Sequence, residues 1–113
     1  MVTFRVGPLI AVGASMVMTA LPARAQSPGL YYAWRSLDGD VATCINRSSA
    51  ALTAGELNDI QIEGNSVAGT TDNATAVLVC LDNIDETTTV MIMVSSNDDA
   101  AALDLRETIK ELF

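Results

Sequence analysis

The alternation of apolar and polar residues along the chain predicts four extended segments. Apolar, β-branched and aromatic side chains concentrate in each of them, as is typical of strands. One segment is interrupted at Gly64 and Asn65, where the glycine favours a bulge or a kink. Short polar runs such as Asp72-Asn73 separate the segments and favour turns. The predicted strands span Leu30–Leu37, Asp59–Glu63 continued by Ser66–Thr71, Ala74–Leu81, and Thr87–Val94.

Two further segments have the apolar spacing of helices. The first is predicted over residues 40–54, because Asp40 can cap its amino end and Gly55 can end it in the left-handed conformation. The second is predicted over residues 98–112, after a Ser96–Asp99 sequence of the Ser-x-x-Asp capping type. The inward positions are expected to be Val41, Cys44, Ile45, Ser48 and Leu52 in the first helix, and Ala102, Leu105, Ile109 and Leu112 in the second.

The resulting order, β-α-β-β-β-α, predicts an α+β fold. In the simplest arrangement, about four mostly antiparallel strands form a sheet and both helices pack on one of its faces, as a two-layer sandwich. The order of the strands within the sheet is left open by the sequence. Residues 26–113 are enough for a single small domain with one modest core.

The third and fourth predicted strands are apolar on both sides, although two short helices can cover only one face of the sheet. Such an uncovered patch is unusual in a monomer, so we interpret it as a contact surface for a second copy or a protein partner. The alternative is that residues 30–34, or a leader from Gln26, fold over it. The residues expected to face the helices are Ala76, Leu78, Cys80, Val90, Ile92 and Val94, and those expected to face away are Val77, Val79, Leu81, Met91 and Met93.

Aromatic residues of the first predicted strand are the next candidates for contacts. Tyr31, Tyr32 and Trp34 lie within four positions of each other, and aromatic side chains contribute disproportionately to the energy of protein interfaces. The alternative for Trp34 is that it packs in the core at the end of the strand.

Residues 1–25 have the pattern of an export signal. Arg5 precedes an apolar run of about 16 residues from Val6 to Leu21, and Ala23-Arg24-Ala25 supplies small residues for cleavage before Gln26. The run is shorter than the roughly 20 residues that a membrane-spanning helix needs. We therefore predict a periplasmic or secreted protein, with an uncleaved membrane anchor as the alternative.

Charge and composition restrict the partners and the chemistry. The chain has six basic and 14 acidic residues and no histidine. Arg5 and Arg24 belong to the predicted signal, so the mature chain would carry four basic against 14 acidic residues, a net charge of −10. This charge opposes binding to nucleic acid or to anionic membranes. Without histidine the chain also lacks the commonest general base and zinc ligand.

Carboxylates are the only plentiful reactive groups. Hard oxygen ligands of this kind bind calcium, so an acidic calcium-binding protein is one alternative function. A small hydrolase that uses two carboxylates is a second alternative, but it would need a deep cleft and one raised pKa. We expect capping and a solvated surface instead, with no catalytic residue, no metal site and no cofactor. The acidic groups lie at Asp38 and Asp40, at Asp82, Asp85 and Glu86, and at Asp98 and Asp99.

Cys44 and Cys80 are the only cysteines in the chain. Cys44 lies on the inward side of the first predicted helix and Cys80 lies in the most apolar strand, so their sulfurs could meet if that helix covers the sheet. Two cysteines in a short exported domain favour a disulfide. Two buried thiols that serve as small apolar residues are the alternative.

A set of short motifs resembles a loosely defined group of small exported bacterial domains with the β-α-β-β-β-α order. The motifs are Trp34, Cys44, Val67-Ala68-Gly69, Val79-Cys80 and the carboxyl-terminal Ile109–Phe113. The resemblance implies the fold and the disulfide, and no activity. Where members of the group often have an aromatic residue and an arginine, this chain has Ala74 and Val79.

Overall fold

A computed structural model describes residues 27–113. The predicted signal segment, its cleavage site and Gln26 lie outside these residues. The described part is an α+β unit of one antiparallel sheet and two helices. The elements are β1 (Gly29–Asp38), α1 (Val41–Ala54), β2 (Asn58–Glu63), β3 (Ser66–Thr70), β4 (Ala74–Asp82), β5 (Thr87–Ser96) and α2 (Asp99–Glu111).

The sheet has five strands, so the prediction of about four was wrong by one. The segment that we expected to be a single kinked strand is a hairpin, in which Glu63 pairs with Ser66 and only Gly64 and Asn65 form the loop. Gly64 has φ +61°, a left-handed conformation that glycine adopts without strain. The strand order is β1-β5-β4-β3-β2, and α1 therefore connects the two opposite edges of the sheet.

Asp40 caps α1 as predicted. Its side chain accepts a hydrogen bond from the Thr43 amide at 2.9 Å. The other end of the helix differs from the prediction, because Gly55 has φ −80° and the following Glu56 takes the left-handed conformation with φ +65°. The Gly55 amide still closes the helix by donating to the Ala51 carbonyl.

The cap of α2 is Asp98, which accepts from the Ala101 amide at 3.1 Å. Ser96, predicted to begin a capping box, instead donates its hydroxyl to the Asn73 carbonyl and accepts from the Asp98 amide. Leu112 was predicted to face inward and is 43% exposed, because the helix ends one residue before it.

The core lies between the sheet and the helices. α1 packs on β2, β3 and β4, and α2 packs on β1 and β5, so that each helix covers a different part of the same face. Alternate residues of β4 and β5 point into this layer and are fully buried. They are Ala76, Leu78, Cys80, Val90, Ile92 and Val94, all six of the residues predicted to face the helices.

A disulfide between Cys44 and Cys80 joins α1 to β4 across this core, with an S–S distance of 2.05 Å. Both cysteines are buried, and the Ser48 hydroxyl lies 3.7 Å from the Cys80 sulfur. The Asn65 side-chain amide donates to the Cys80 carbonyl at 2.8 Å, which ties the β2–β3 hairpin to the same point. The predicted disulfide is confirmed.

Candidate interaction surface

The face of the sheet that is turned away from both helices is termed the outer face. Its positions follow from the strand register, in which every second residue of a strand lies on the same side. The structure places all five residues expected to face away from the helices on it. All five strands contribute, with Leu30, Tyr32 and Trp34 from β1, Met91 and Met93 from β5, Val77, Val79 and Leu81 from β4, Ser66, Ala68 and Thr70 from β3, and Gln61 and Glu63 from the edge strand β2.

Two rows of side chains cross the outer face at right angles to the strands. In each row the side chains become smaller from β1 to β3. Over these four strands the first row runs Tyr32, Met93, Val77, Ala68, and the second runs Trp34, Met91, Val79, Ser66. Each row ends on the edge strand β2 in a longer polar side chain, Gln61 in the first and Glu63 in the second. The side chains of the outer face therefore project far from the sheet along β1, the tall edge, and little along β3, the low edge of these four strands.

The two aromatic side chains on β1 lie side by side. The ring centroids of Tyr32 and Trp34 are 6.3 Å apart and their planes differ by 14°. The side chains are 57% and 59% exposed. Trp34 is therefore not packed in the core, and the alternative that placed it there was wrong.

Tyr31 lies on the opposite face from Tyr32 and Trp34. It pairs with Val94 and packs against the core. A side-chain hydrogen bond with Asp99 is the main cause that raises the pKa of the Tyr31 hydroxyl above its usual value of 10.0. The structure therefore separates Tyr31 from the other candidates for contacts.

One of the two segments proposed to cover the outer face is itself part of the sheet. Residues 30–34 pair in register with β5 and extend the outer face by one strand. The other proposed cover, the leader from Gln26, begins outside the described residues. Leu30 was not among our candidates, although its alternation with Tyr32 and Trp34 along β1 could have identified it.

Charged side chains are excluded from the centre of the outer face. Among residues of β1, β3, β4 and β5, Asp38 at the end of β1 is the one charged residue on this side, and Glu63 on the edge strand β2 carries a second charge at the margin. The remaining outer positions of these strands carry serine or threonine, namely Ser36, Thr75, Thr87, Thr89 and Ser95. The centre of the outer face is uncharged and partly apolar in a strongly acidic domain.

The acidic residues lie in turns, at helix caps, in α2, on the edge strand β2 and at the ends of other strands. Backbone and side-chain hydrogen bonds from Thr43 lower the pKa of Asp40, and hydrogen bonds from Thr87 lower that of Asp85. Within residues 27–113, no three Asp, Glu or Cys side chains come close enough together to hold a metal ion. In the same part of the chain, neither helix has the length and hydropathy to span a membrane.

Comparison with known proteins gives no assignment. No protein-family model matches the chain, and no curated protein is significantly similar to it. The geometry of the outer face is therefore the feature from which a function can be proposed.

Proposed function

We propose that the chain is an exported binding module that contacts a protein partner, or a second copy of itself, through the outer face. It has no catalytic role in this proposal. The observation that carries it is the outer face itself, which holds two exposed aromatic rings and two methionines and on which neither helix of residues 27–113 packs. Contiguous apolar surface of this kind is a mark of interaction sites in soluble proteins.

The composition of the outer face supports a protein as the partner. Aromatic residues and methionine are enriched in protein interfaces, and charged residues are depleted at their centres. Met91 and Met93 are flexible and polarisable, so they can adjust to the shape of a partner. The uncharged centre gives nucleic acid no cation to bind, and the net charge of the domain opposes it further.

Export is part of the proposal and is supported by the disulfide. Disulfides form and persist in oxidising compartments and are rare in the cytosol of mesophiles. The Cys44–Cys80 bond therefore agrees with a periplasmic or secreted location. The likeness to small exported bacterial domains belongs to the same proposal and assigns no activity.

No observation among the described residues favours calcium binding or carboxylate hydrolysis. The carboxylates with lowered pKa are explained by local hydrogen bonds at a helix cap and a turn. A hydrolase would need two carboxyl groups in a deep cleft, one of them with a raised pKa. If a calorimetric titration with calcium chloride gave a heat signal that saturates, calcium binding would be favoured instead.

Site-specific photo-cross-linking in the cells that make the protein tests the proposal. Tyr32 is replaced by benzoylphenylalanine, an aromatic residue that the exposed position can accommodate. Ala42, exposed on α1 at the other side of the molecule, is the matched control position. We expect a defined adduct on illumination at position 32 and none at position 42.

A charge placed in the outer face provides the second control. Val79→Glu should abolish the adduct formed from position 32, because burying an unpaired carboxylate in an interface is costly. Adducts of equal yield at both positions, or an adduct that persists in the Val79→Glu protein, would overturn the proposal. The mass of the adduct also shows whether the partner is a second copy or a different protein.

A further inference from the structure

We infer that the outer face binds a second copy of the chain, with β1 of each copy lying over β3 of the other. This inference rests on the proposed function and names the partner. It starts from the two rows of side chains, in which size decreases in the same direction, from Tyr32 to Ala68 and from Trp34 to Ser66.

Over β1, β5, β4 and β3 the outer face is tall at one edge and low at the other, and a surface of this shape is complementary to itself. β2, which carries Gln61 and Glu63 beyond the low edge, lies outside the contact. A two-fold axis parallel to the strands, between β5 and β4, turns one copy so that its tall edge meets the low edge of the second. Tyr32 then lies over Ala68 of the second copy, and Met93 lies over Val77. The summed height is nearly constant across the rows, so two sheets can pack at the usual separation of about 10 Å.

Other orientations of two copies lack this fit. An axis that crosses the strands would place β1 over β1, so that Tyr32 and Trp34 of both copies would compete for the same space. The low side chains along β3 would then face each other across a gap. Because such gaps forfeit the contacts of the atoms that line them, the first orientation is favoured.

The area is sufficient for a specific contact. Strands about 4.8 Å apart with a rise of about 3.4 Å per residue give the outer face of β1, β5, β4 and β3 roughly 500 Å² of projected area. Two copies would bury about 1,000 Å² before the relief of the side chains is added, which is about the minimum for a biological interface with good complementarity. A flat sheet face of this size can therefore support a dimer.

The charged residues at the margin of the outer face are compatible with a dimer in which β1 of each copy lies over β3 of the other. The centre of the outer face is uncharged, so two domains of net charge −10 can meet without placing like charges opposite each other. Glu63, on the β2 side of the low edge, would lie past the β1 edge of the second copy. That edge is flanked by Arg106 and Lys110, two of the four basic residues among those described, together with Glu107.

A size-swap experiment on one row tests the inference. Ala68→Trp raises the low edge and should weaken the dimer at least about tenfold, because the indole would occupy the space of Tyr32 of the second copy. Tyr32→Ala removes the tall side chain and should also weaken it. The double variant restores a tall and a low side chain in the row and should dimerise better than Ala68→Trp alone. Ala42→Trp on α1 is the control and should dimerise like the unchanged protein.

Association is measured by analytical ultracentrifugation over a concentration series, and far-ultraviolet circular dichroism checks the fold of every variant. If Ala68→Trp does not fold, Tyr32→Ala alone must still weaken the dimer. A monomer at every concentration, single variants that associate as well as the unchanged protein, or a double variant weaker than either single variant would overturn the inference. A monomer in solution together with a position-32 adduct to a different protein would leave the proposed function standing and refute only the second copy as partner.

Discussion

The two faces of the sheet are built from the same strands and differ in almost every physical respect. On the inner face, alternate residues of β4 and β5 are fully buried under the helices and joined to α1 by the Cys44–Cys80 disulfide. On the outer face, the residues between them are half-buried or exposed. In a segment such as Val90–Val94 of β5, the side chains on one side therefore stabilise the fold, and those on the other side remain available for contacts.

This difference shows that apolar character alone does not define a core. Met91 and Ile92 are neighbours with similar apolar surfaces, yet Ile92 is fully buried and Met91 is not. The helices decide which of them belongs to the core. Substitutions on the inner face should therefore change the free energy of unfolding, whereas substitutions on the outer face should change association.

Removing the disulfide should have the largest effect on stability. The bond closes a loop of about 37 residues, for which the chain-entropy model gives about 3 to 4 kcal/mol of stabilisation. We expect the Cys44→Ala/Cys80→Ala protein to lose about this much in urea-induced unfolding. The unchanged protein with a strong reductant is the control and should unfold at a similarly lowered urea concentration. A loss below about 1 kcal/mol in both would show that the bond contributes little.

A matched pair of substitutions on β5 compares the two faces directly. Ile92→Ala should destabilise the domain by about 2 to 4 kcal/mol, because it leaves a cavity in a fully buried site. Met91→Ala, one residue away on the outer face, should cost less than about 1 kcal/mol when measured in dilute protein. Equal losses for the two variants would contradict the separation of stability and contact between the faces.

Trp34→Ala should leave stability nearly unchanged, within about 1 kcal/mol, because the indole is largely exposed. The same change should weaken association, since the second row loses its tallest side chain. Thermal unfolding of dilute protein measures the first effect, and sedimentation measures the second. A large drop in the unfolding temperature of the dilute protein would instead give Trp34 a structural role.

The pH dependence of unfolding should show the smallest effect. The pKa of Asp40 is lower in the folded protein than its usual value of 3.8, so the folded state favours the charged carboxylate. Its contribution to stability is present at neutral pH and is lost as the pH falls below about 4 through the folded-state pKa. Asp40→Asn keeps a capping side chain but does not titrate, so it should flatten this part of the curve.

Asp104→Asn, at an exposed position in α2, is the control for Asp40→Asn and should retain the slope that Asp40 produces. If the unchanged protein and Asp40→Asn lose stability in parallel between pH 5 and pH 2, Asp40 does not contribute in the way described. The measurement is chemical unfolding at a series of pH values, followed by far-ultraviolet circular dichroism.

Local patterns in the sequence predicted much of this fold. The four long apolar runs and both helices lie within two residues of their predicted ends, and alternation assigned the faces of β4 and β5. The Gly64-Asn65 loop was interpreted as a kink, although a two-residue Gly-Asn connection is also a hairpin signal. The strand order and the crossing of α1 from edge to edge depend on pairings between distant segments, which local patterns do not encode.

The candidate surface was only partly predictable for the same reason. Alternation along β1 places Tyr32 and Trp34 on one face, but it does not say whether that face is covered. The exposure of Trp34 depends on α2 packing on the opposite side of β1. The decrease in side-chain size across the rows requires the register of four strands, so no single segment of the sequence contains it.

Trp34 is the single tryptophan of the chain and lies in the proposed contact, so its fluorescence tests the central claim most directly. Acrylamide quenching of its emission is measured in the purified protein from nanomolar to high micromolar concentrations. We predict that the quenching constant falls by several-fold and the emission shifts to shorter wavelength as the copies associate. Quenching that stays strong and constant throughout the series, with no shift in emission, would contradict the account.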